Sequence, residues 1–524
     1  MWKNYEGASA WKTPTLAAIL ALSTVLTGCS QDNNPGDKAS PSTTGMANHP
    51  AEIKWMQYPA MVEEGSYGQK YMEDKFQVKL TGYPQTWEES VQKQQLSIAG
   101  GDIPDVIFIK DPSTLFKFAS QGLLAEVTLP DIQKNMPKTK AAMDSFAPQA
   151  WAYTRFQGKN YGLPTFYWTG QFTAKQLWRQ DLLEKAGVTK VPETIGEFTQ
   201  TFAALKKIGV YGMSTGGNSW YNTFHSVFGA YGVMPMQWMV KDGRVVNGAT
   251  QPEAKEALAQ LAEWYKAGYI DPDFITGADL LPKFIAGKYA LNDSASIAWV
   301  DEANPSSPVS SIKQSHPDGK VIFGPPPTGP RGQQGAWAWG GGGNIWAFGK
   351  QLEKDPEKLS KILAMIETLQ NDEQTFVDLA FGAQGKHWEY EDASLKFEGG
   401  MRTLSPYEDK AKKHAEGLSE YYATTLWGAQ PVPDLYRKFV NKQQLANYQM
   451  YNFPVFDLFG KPDVLPSAGK YWADLQKLKV ETYARIIMGE KPLSSFEDFV
   501  KKWNEAGGEV LEQEANDLYK QIKK

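Results

Sequence analysis

Short apolar runs alternate with amphipathic segments along most of the chain. The runs 53–58 (IKWMQY) and 105–109 (DVIFI) have the composition of buried strands. The segment 87–99 between them predicts a helix, because Thr86 and Glu89 can form a capping box at its start. Strands and helices that alternate at this spacing predict an α/β architecture.

Helical periodicity recurs further along the chain. The segment 252–267 carries an apolar stripe at helical spacing, and the segment 356–369 has a similar stripe with Asp355 as its N-cap. Near the C-terminus, another helix is predicted with a cap formed by Ser494 and Glu497. These helices supply the layers that would cover the predicted sheets.

An apolar run of eleven residues, Leu16–Leu26, follows Lys3 and Lys12. It is too short to span about 30 Å of hydrocarbon, but it has the length of a signal-peptide core. It leads into Leu26-Thr27-Gly28-Cys29, which resembles the lipobox of bacterial lipoproteins and holds the only cysteine of the chain. The resemblance implies cleavage after residue 28 and acylation of Cys29, palmitate included. The alternative is an ordinary signal peptide.

The segment that follows the cysteine is polar, and 30–50 reads SQDNNPGDKASPSTTGMANHP. Such a segment buries too little apolar surface to offset the entropy of ordering, so 29–50 is predicted to be a disordered tether. With 1–28 as the leader, we expect a body from residue 51 onward. This body would be lipid-anchored at the extracytoplasmic face of the cell membrane.

Composition excludes several classes of protein. A net charge of −5 argues against a nucleic-acid binder. A single cysteine excludes a disulfide framework, and the five histidines are scattered without an HExxH pair. We therefore expect no metal and no cofactor. The proline-rich segment 324–332 interrupts the α/β pattern, which indicates two lobes joined by hinge segments.

Three local patterns suggest chemistry, and each has a structural alternative. Gly212–Gly216 matches the GxSxG pattern of a hydrolase with Ser214 as nucleophile, but no helix is predicted to begin directly after it. Gly340–Asn344 resembles a phosphate-binding loop but lacks the Lys-Ser or Lys-Thr of a P-loop. Paired carboxylates could serve a glycosidase or could be solvated surface charge; the candidates are Asp271/Asp273, Asp301/Glu302 and Glu389/Glu391/Asp392.

Aromatic residues make up 13% of the chain, and several stand beside amides and acids in predicted loops. Aromatic faces stack on the apolar faces of sugar rings, while planar polar groups bind the hydroxyls. The clusters are Tyr167-Trp168, Asn218-Ser219-Trp220-Tyr221, Trp299-Val300-Asp301, Trp337-Ala338-Trp339 and His387-Trp388. Any single Trp is more often a core residue, but the set as a whole favours a carbohydrate site.

Several motifs occur in a fixed order: AGGDIPDVI at 99–107, GKNYGLP at 158–164, WRQDLL at 178–183, FGAQGKH at 381–387 and IMGEKP at 487–492. In this order and spacing the chain resembles bacterial extracellular solute-binding proteins of ABC importers, family 1, and the LipO-type lipoproteins within it. The resemblance implies two α/β lobes of the type II periplasmic-binding fold, with hinge crossings between the lobes and ligand in the cleft. Lobe one would comprise 51–163 and 331–385, and lobe two 164–330 and 386–524. Tyr161–Pro164 would be a hinge crossing.

The resemblance also implies which residues contact the ligand. Gln57 and Tyr58 would do so after the first strand, and Asp111 and Ser113 after the second apolar run. Ile109-Lys110 stand where many sugar-binding relatives carry an aromatic residue. Together with the loop clusters and the glycine-rich loop, the predicted ligand-binding residues are Gln57, Tyr58, Asp111, Ser113, Trp168, Asn218, Trp220, Tyr221, Trp299, Asp301, Asn344 and Trp388.

The function implied is that of a substrate-binding subunit, not of an enzyme. We expect a monomer that captures an oligosaccharide in the cleft between the lobes and delivers it to the permease subunits of an ABC importer. One alternative is a binding protein for peptides or another polar solute. The other is a secreted hydrolase that uses Ser214 or a pair of carboxylates.

Overall fold

The structure is a computed structural model that describes residues 50–215, 224–302, 307–396, 400–419, 425–428, 430–440, 442–455 and 457–522. The leader, Cys29, the tether up to residue 49, and Asn218, Trp220 and Tyr221 lie outside these ranges. Within the described residues, no helix combines the length and the apolar character that a membrane crossing needs.

The strands are short, as expected for an α/β protein. They are Ala51–Met56 (β1), Val78–Gly82 (β2), Val106–Ile109 (β3), Arg155–Phe156 (β4), Lys159–Asn160 (β5), Gly162–Phe166 (β6), Lys175–Arg179 (β7), Tyr211–Met213 (β8), Trp238–Lys241 (β9), Arg244–Asn247 (β10), Tyr289–Ala295 (β11), Val321–Gly324 (β12), Ala336–Trp337 (β13), Gly342–Phe348 (β14), Trp388–Tyr390 (β15), Met401–Thr403 (β16) and Pro454–Val455 (β17).

The helices alternate with these strands and continue to the C-terminus. They are Tyr67–Phe76 (α1), Ser90–Ala99 (α2), Pro112–Ser120 (α3), Leu129–Asn135 (α4), Pro137–Phe146 (α5), Gln180–Lys185 (α6), Ile195–Lys207 (α7), His225–Ala230 (α8), Pro252–Lys266 (α9), Leu281–Ile285 (α10), Pro308–Ser315 (α11), Pro356–Asn371 (α12), Glu373–Ala380 (α13), Lys410–Ala415 (α14), Pro433–Tyr436 (α15), Lys442–Gln449 (α16), Ala468–Ile487 (α17), Ser495–Trp503 (α18) and Glu509–Ile522 (α19).

The first sheet has five strands in the order β2-β1-β3-β14-β6. β1 runs parallel to β2 and β3, whereas β14 runs antiparallel to β3 and β6. The carboxyl ends of β1, β3 and β6 therefore lie at the same edge as the amino end of β14; we call this the strand-end edge. The core of the sheet contains Trp55, Phe108 and Trp346, all fully buried. Their rings meet edge to face, with centroids 6.3 Å apart for Trp55 and Trp346 and 5.4 Å for Phe108 and Trp346.

The second sheet has four strands in the order β12-β7-β11-β8. β7 runs antiparallel to β11 and β12, and β8 runs parallel to β11. The buried ring of Trp178 on β7 packs against Phe198 and Phe202 of α7, with centroids 5.1 and 6.1 Å away. At the end of β7, the buried guanidinium of Arg179 donates two hydrogen bonds of 2.9 Å to Asp181.

Two segments cross side by side between the sheets, 167–174 and 325–341. They are held together by backbone hydrogen bonds from Gly340 to Gly170 and from Tyr167 to Gly341, both 2.8 Å long. Gly170 is required here, because a Cβ at this position would lie 2.4 Å from the Gly340 carbonyl oxygen. The segment Tyr161–Pro164, expected to be a crossing, instead lies in and next to β6 of the first sheet, so the chain leaves that sheet only after Phe166.

The C-terminal helices pack against the β9–β10 hairpin and against α9. Asn516 on α19 exchanges hydrogen bonds of 2.8 and 3.0 Å with the backbone of Val245, and α17 packs along α9. The segment before them contacts the first sheet instead. The backbone N–H of Tyr58 donates to the carbonyl oxygen of Leu426 over 2.8 Å, and the ring centroids of Trp427 and Trp55 lie 6.5 Å apart. This contact places 425–428 beside the first sheet, whereas the sequence-based boundaries assign 386–524 to lobe two.

Local capping predictions have mixed outcomes. Asp355 accepts the Lys358 backbone N–H over 3.0 Å, as predicted. Ser494 makes no capping bond, because its backbone is already helical and the backbone N–H groups of Ser495 and Phe496 bond to the carbonyls of the preceding turn instead. The helix predicted over 87–99 begins only at Ser90.

Candidate functional site

The strand-end edge of the first sheet brings together residues from distant parts of the sequence. Gln57 and Tyr58 follow β1, Lys110 follows β3, Tyr167 follows β6, and Asn344 lies near the start of β14. The Asn344 side-chain N–H donates to the Lys110 carbonyl oxygen over 3.0 Å, which ties β14 to the end of β3. In open α/β sheets, ligands bind at this kind of edge.

Gln57 is fully buried and incompletely hydrogen-bonded. Its Oε1 accepts the backbone N–H of Tyr83 over 3.2 Å, while its Nε2 has no hydrogen-bond partner among the residues that the structure describes. Within the same residues the Oε1 atom of the neighbouring buried Gln85 also lacks a partner, although Gln85 Nε2–H donates to the Gln57 carbonyl oxygen over 3.3 Å. A buried donor without a partner costs about 1–3 kcal/mol. This edge therefore has unused hydrogen-bonding capacity.

Aromatic rings pack around Tyr58, the residue after Gln57. Tyr58 packs against Trp87 and Phe108, with centroids 5.6 and 5.0 Å away, and burial raises the pKa of the Tyr58 phenol. Trp87 remains 42% exposed, and the Lys110 Nζ lies 4.1 Å from the centroid of its ring. The edge thus offers a solvent-facing indole with a cation above it.

A second exposed indole lies at the end of the crossing 325–341. Trp339 is 41% exposed and contacts Trp337 and Tyr167, with centroids 4.2 and 6.5 Å away. Trp337 itself is buried. Trp339 stands in one of the loop clusters, but the sequence does not show that its ring, and not its neighbour's, faces solvent. Trp87 and Lys110 are also absent from the predicted set.

Asp111 and Ser113 lie at the same edge but have structural partners. The Asp111 carboxylate accepts the Thr114 backbone N–H over 2.8 Å and the Thr114 hydroxyl over 3.0 Å, which caps α3. The Ser113 hydroxyl donates to the carbonyl oxygen of Asp463 over 3.3 Å. Burial raises the pKa of Asp463 to about 6, against the opposing effect of Lys461. A ligand contact from Asp111 would compete with the cap.

Two predicted aromatic contacts are instead core residues. Trp168 is 3% exposed and stacks on Tyr436 with centroids 5.2 Å apart. Trp388 is 5% exposed, and its Nε1–H donates to the Gly382 carbonyl oxygen over 2.8 Å. Their rings are already covered by protein and offer no open face for stacking. Trp299 is half-buried against Phe284, whereas Asp301 is exposed.

The hydrolase alternative requires Ser214 to bond a histidine. Ser214 is fully buried, and its Oγ has no hydrogen-bond partner among the described residues. His225 Nε2 lies 3.3 Å from Ser294 Oγ, and its Nδ1 accepts the Trp337 backbone N–H over 3.3 Å. Both ring nitrogens are therefore engaged elsewhere, and burial lowers the pKa of His225. The described geometry contains no relay from Ser214 to His225.

Carboxylates in the acidic clusters form ion pairs with nearby cations. Lys283 binds both Asp271 and Asp273, over 2.8 and 2.6 Å. Arg402 contacts both Glu389 and Glu391. Across the described ranges, no group of three or more His, Cys, Asp and Glu side chains could hold a metal ion.

The comparison with known families defines the class. The model of the bacterial extracellular solute-binding protein family matches residues 56–375, so the chain belongs to this family. Similar curated proteins come from Bacillus subtilis (strain 168). The polygalacturonan/rhamnogalacturonan-binding protein YtcQ is 21% identical and spans 98% of this chain and 99% of its own length. Lipoprotein LipO is 23% identical over 85% of this chain and 87% of its own.

Solved structures support the same fold. The alginate-binding protein AlgQ2 superposes with a TM-score of 0.63 at 18% identity, over 90% of this chain and 98% of its own. A solute-binding protein associated with an HMO-binding ABC transporter from Bifidobacterium longum infantis superposes with a TM-score of 0.64 at 16% identity, with the same coverage. The fold is therefore the type II periplasmic-binding fold, as the sequence predicted.

Proposed function

We propose that the protein is a lipid-anchored binding protein that captures an oligosaccharide outside the cytoplasm and delivers it to the permease subunits of an ABC importer. The observation that carries this proposal is the exposure of two indoles, Trp87 and Trp339, at the edge where the buried Gln57 Nε2–H has no hydrogen-bond partner in the described part of the chain. Indole faces bury the apolar faces of sugar rings, and a sugar hydroxyl restores the missing hydrogen bond. The names of the relatives YtcQ and AlgQ2 support a saccharide ligand.

Capture requires the two sheets to approach each other around the ligand. The paired crossings 167–174 and 325–341 supply a hinge, because rotation there leaves the two cores intact. The bound ligand stabilises the closed form, which then docks on the permease. The ligand is released unchanged, so no turnover accompanies binding.

The anchor is proposed from the sequence. Cys29 would carry the lipid, and residues 30–50 would link it to the body. About twenty flexible residues have a root-mean-square reach of roughly 25 Å. That length lets the body meet a permease in the same membrane.

Isothermal titration of a soluble form that begins at Ser30 tests the function. Neutral oligosaccharides, acidic oligosaccharides and peptides are titrated separately. We expect saturable binding to one class of oligosaccharide, with the ligand recovered intact after hours. Trp87→Ala and Trp339→Ala should each weaken binding roughly tenfold, which corresponds to about 1.4 kcal/mol.

Leu395→Ala is the control, since it removes an exposed apolar side chain from the turn between β15 and β16 and should leave affinity unchanged. Binding of peptides alone would refute the saccharide ligand. Chemical conversion of the ligand during the titration would show that the protein is an enzyme and would refute the role of a binding protein. Equal affinity of the wild type and both tryptophan variants would place the ligand elsewhere.

A further inference from the structure

Lys110 is fixed at the strand-end edge through its backbone. Its carbonyl oxygen accepts hydrogen bonds from Asn344 Nδ2 over 3.0 Å and from Lys461 Nζ over 3.4 Å. Its side chain extends over Trp87, with Nζ 4.1 Å from the centroid of the ring, and the ammonium donates to the Trp87 carbonyl oxygen. The charge is therefore held above the exposed indole that we assign to ligand stacking.

No carboxylate lies within ion-pair distance of Lys110 in the part of the chain that the structure describes. The nearest acid in sequence, Asp111, uses its carboxylate on Thr114. Burial lowers the pKa of Lys110, and the more distant charges of Glu88 and Asp111 oppose this shift without reversing it. The ammonium is therefore partly desolvated and incompletely compensated.

The ammonium affects which ring can stack on Trp87. A neutral sugar that covers this face displaces the cation–π contact and offers the Lys110 ammonium only neutral hydroxyl oxygens as hydrogen-bond acceptors. A sugar with a carboxylate also displaces it, but forms a charge-assisted hydrogen bond to the same ammonium.

We propose that Lys110 makes the site selective for saccharides that carry a carboxylate next to the ring stacked on Trp87, as uronic acid residues do. This inference rests on the proposed function, and it names a substrate class and a specificity-determining residue for the same site. A cation over the face of Trp87 strengthens the binding of an anionic sugar ring relative to that of a neutral ring.

The test uses trigalacturonate and its trimethyl ester, which share the same sugar rings and linkages but differ in that three methyl groups neutralise the carboxylates of the ester. For the soluble protein from Ser30, the Kd of each is measured at low salt and in 0.5 M NaCl. We expect the acid to bind about 10- to 100-fold more tightly than the ester, as for hydrogen bonds to charged groups, and added salt should reduce this ratio.

Lys110→Met keeps the aliphatic stem over Trp87 and removes the charge, so the ratio of the two Kd values should fall close to 1. Lys110→Arg keeps a positive charge, so the ester should still have a higher Kd than the acid. Lys117→Met, an exposed residue near the end of α3, makes the same change in net charge and should leave the ratio as in the wild type.

A wild-type ratio near 1, or a ratio that Lys110→Met does not change, would overturn the role of Lys110 while the proposed function stands. Tight binding of a neutral oligosaccharide with no response to either trigalacturonate ligand or to trimannuronate would also overturn it. Absence of measurable binding to all saccharides, neutral and acidic, would refute the proposed function itself.

Discussion

His387 links the stability of the protein to pH. Its side chain is fully buried, and Nδ1 accepts the Ala383 backbone N–H over 2.9 Å, so the ring is neutral with its proton on Nε2. The ring lies between Tyr67 and Tyr407, with centroids 4.9 and 4.5 Å away. Burial, with the charge of Lys386 as a smaller cause, lowers the pKa of His387 from 6.5 to about 4.

The depressed pKa makes the folded state resist protonation more than the unfolded chain does. The stability associated with the neutral ring is complete above pH 6.5 and is lost progressively as the pH falls toward 4. The difference between the pKa of His387 in the unfolded chain, 6.5, and in the folded protein, about 4, lowers the free energy of unfolding at pH 5 by about 2 kcal/mol relative to pH 7.5. Half-buried His414, whose pKa is also lowered to about 4, adds to the same trend.

Urea unfolding of the wild type and of His387→Asn between pH 7.5 and 4.5 measures this effect. The variant keeps an acceptor for the Ala383 N–H but cannot titrate, so its free energy of unfolding should fall less steeply with pH. The difference between the two proteins should therefore shrink by about 2 kcal/mol from pH 7.5 to pH 5. His316→Asn, at an exposed histidine, should follow the wild type. Parallel curves for the wild type and His387→Asn would refute the reasoning.

Three further outcomes are expected. Cys29→Ser should abolish palmitate labelling and release the protein into the medium, and continued membrane retention would contradict the anchor. Arg179→Met leaves the buried Asp181 carboxylate without its bidentate partner. The free energy of unfolding in urea should therefore fall by about 3–5 kcal/mol, and a fall of less than about 1 kcal/mol would contradict this. Gly170→Ala should lower both the melting temperature and ligand affinity, because its Cβ would lie 2.4 Å from a carbonyl oxygen of the other crossing. Gly196→Ala, whose Cβ meets only one atom at 3.9 Å, should not lower either.

Features that depend on a few adjacent residues were predictable from the sequence. The Asp355 cap needs only the N–H three residues later, and the strand at 105–109 needs only its apolar composition. The box at Thr86 and Glu89 formed only in part. The Glu89 N–H donates to Thr86 over 3.3 Å, while the Glu89 carboxylate pairs with Lys93 over 3.3 Å. Lys93, four residues further along, competes for the Glu89 carboxylate. The sequence alone permits either the capping-box hydrogen bond or this ion pair.

For the proposed site, the sequence indicates a region but does not identify its exposed residues one by one. The resemblance led to the ends of β1 and β3, where Gln57 and Lys110 lie. It did not separate exposed rings from buried ones, because burial depends on contacts between distant segments. Trp168 is covered by Tyr436, which is far away in sequence. Trp87 was assigned to a helix that starts three residues later, so its exposure was missed.

The most direct test of the central claim is a crystal structure of the soluble protein with the oligosaccharide that titration identifies. We expect sugar rings against the indoles of Trp87 and Trp339, and a sugar oxygen within about 3.2 Å of Gln57 Nε2, a normal hydrogen-bond distance. The two sheets should lie closer together than they do without ligand. Electron density for the sugar away from the strand-end edge, with Gln57 Nε2 still without a hydrogen-bond partner, would refute the proposed function of this edge.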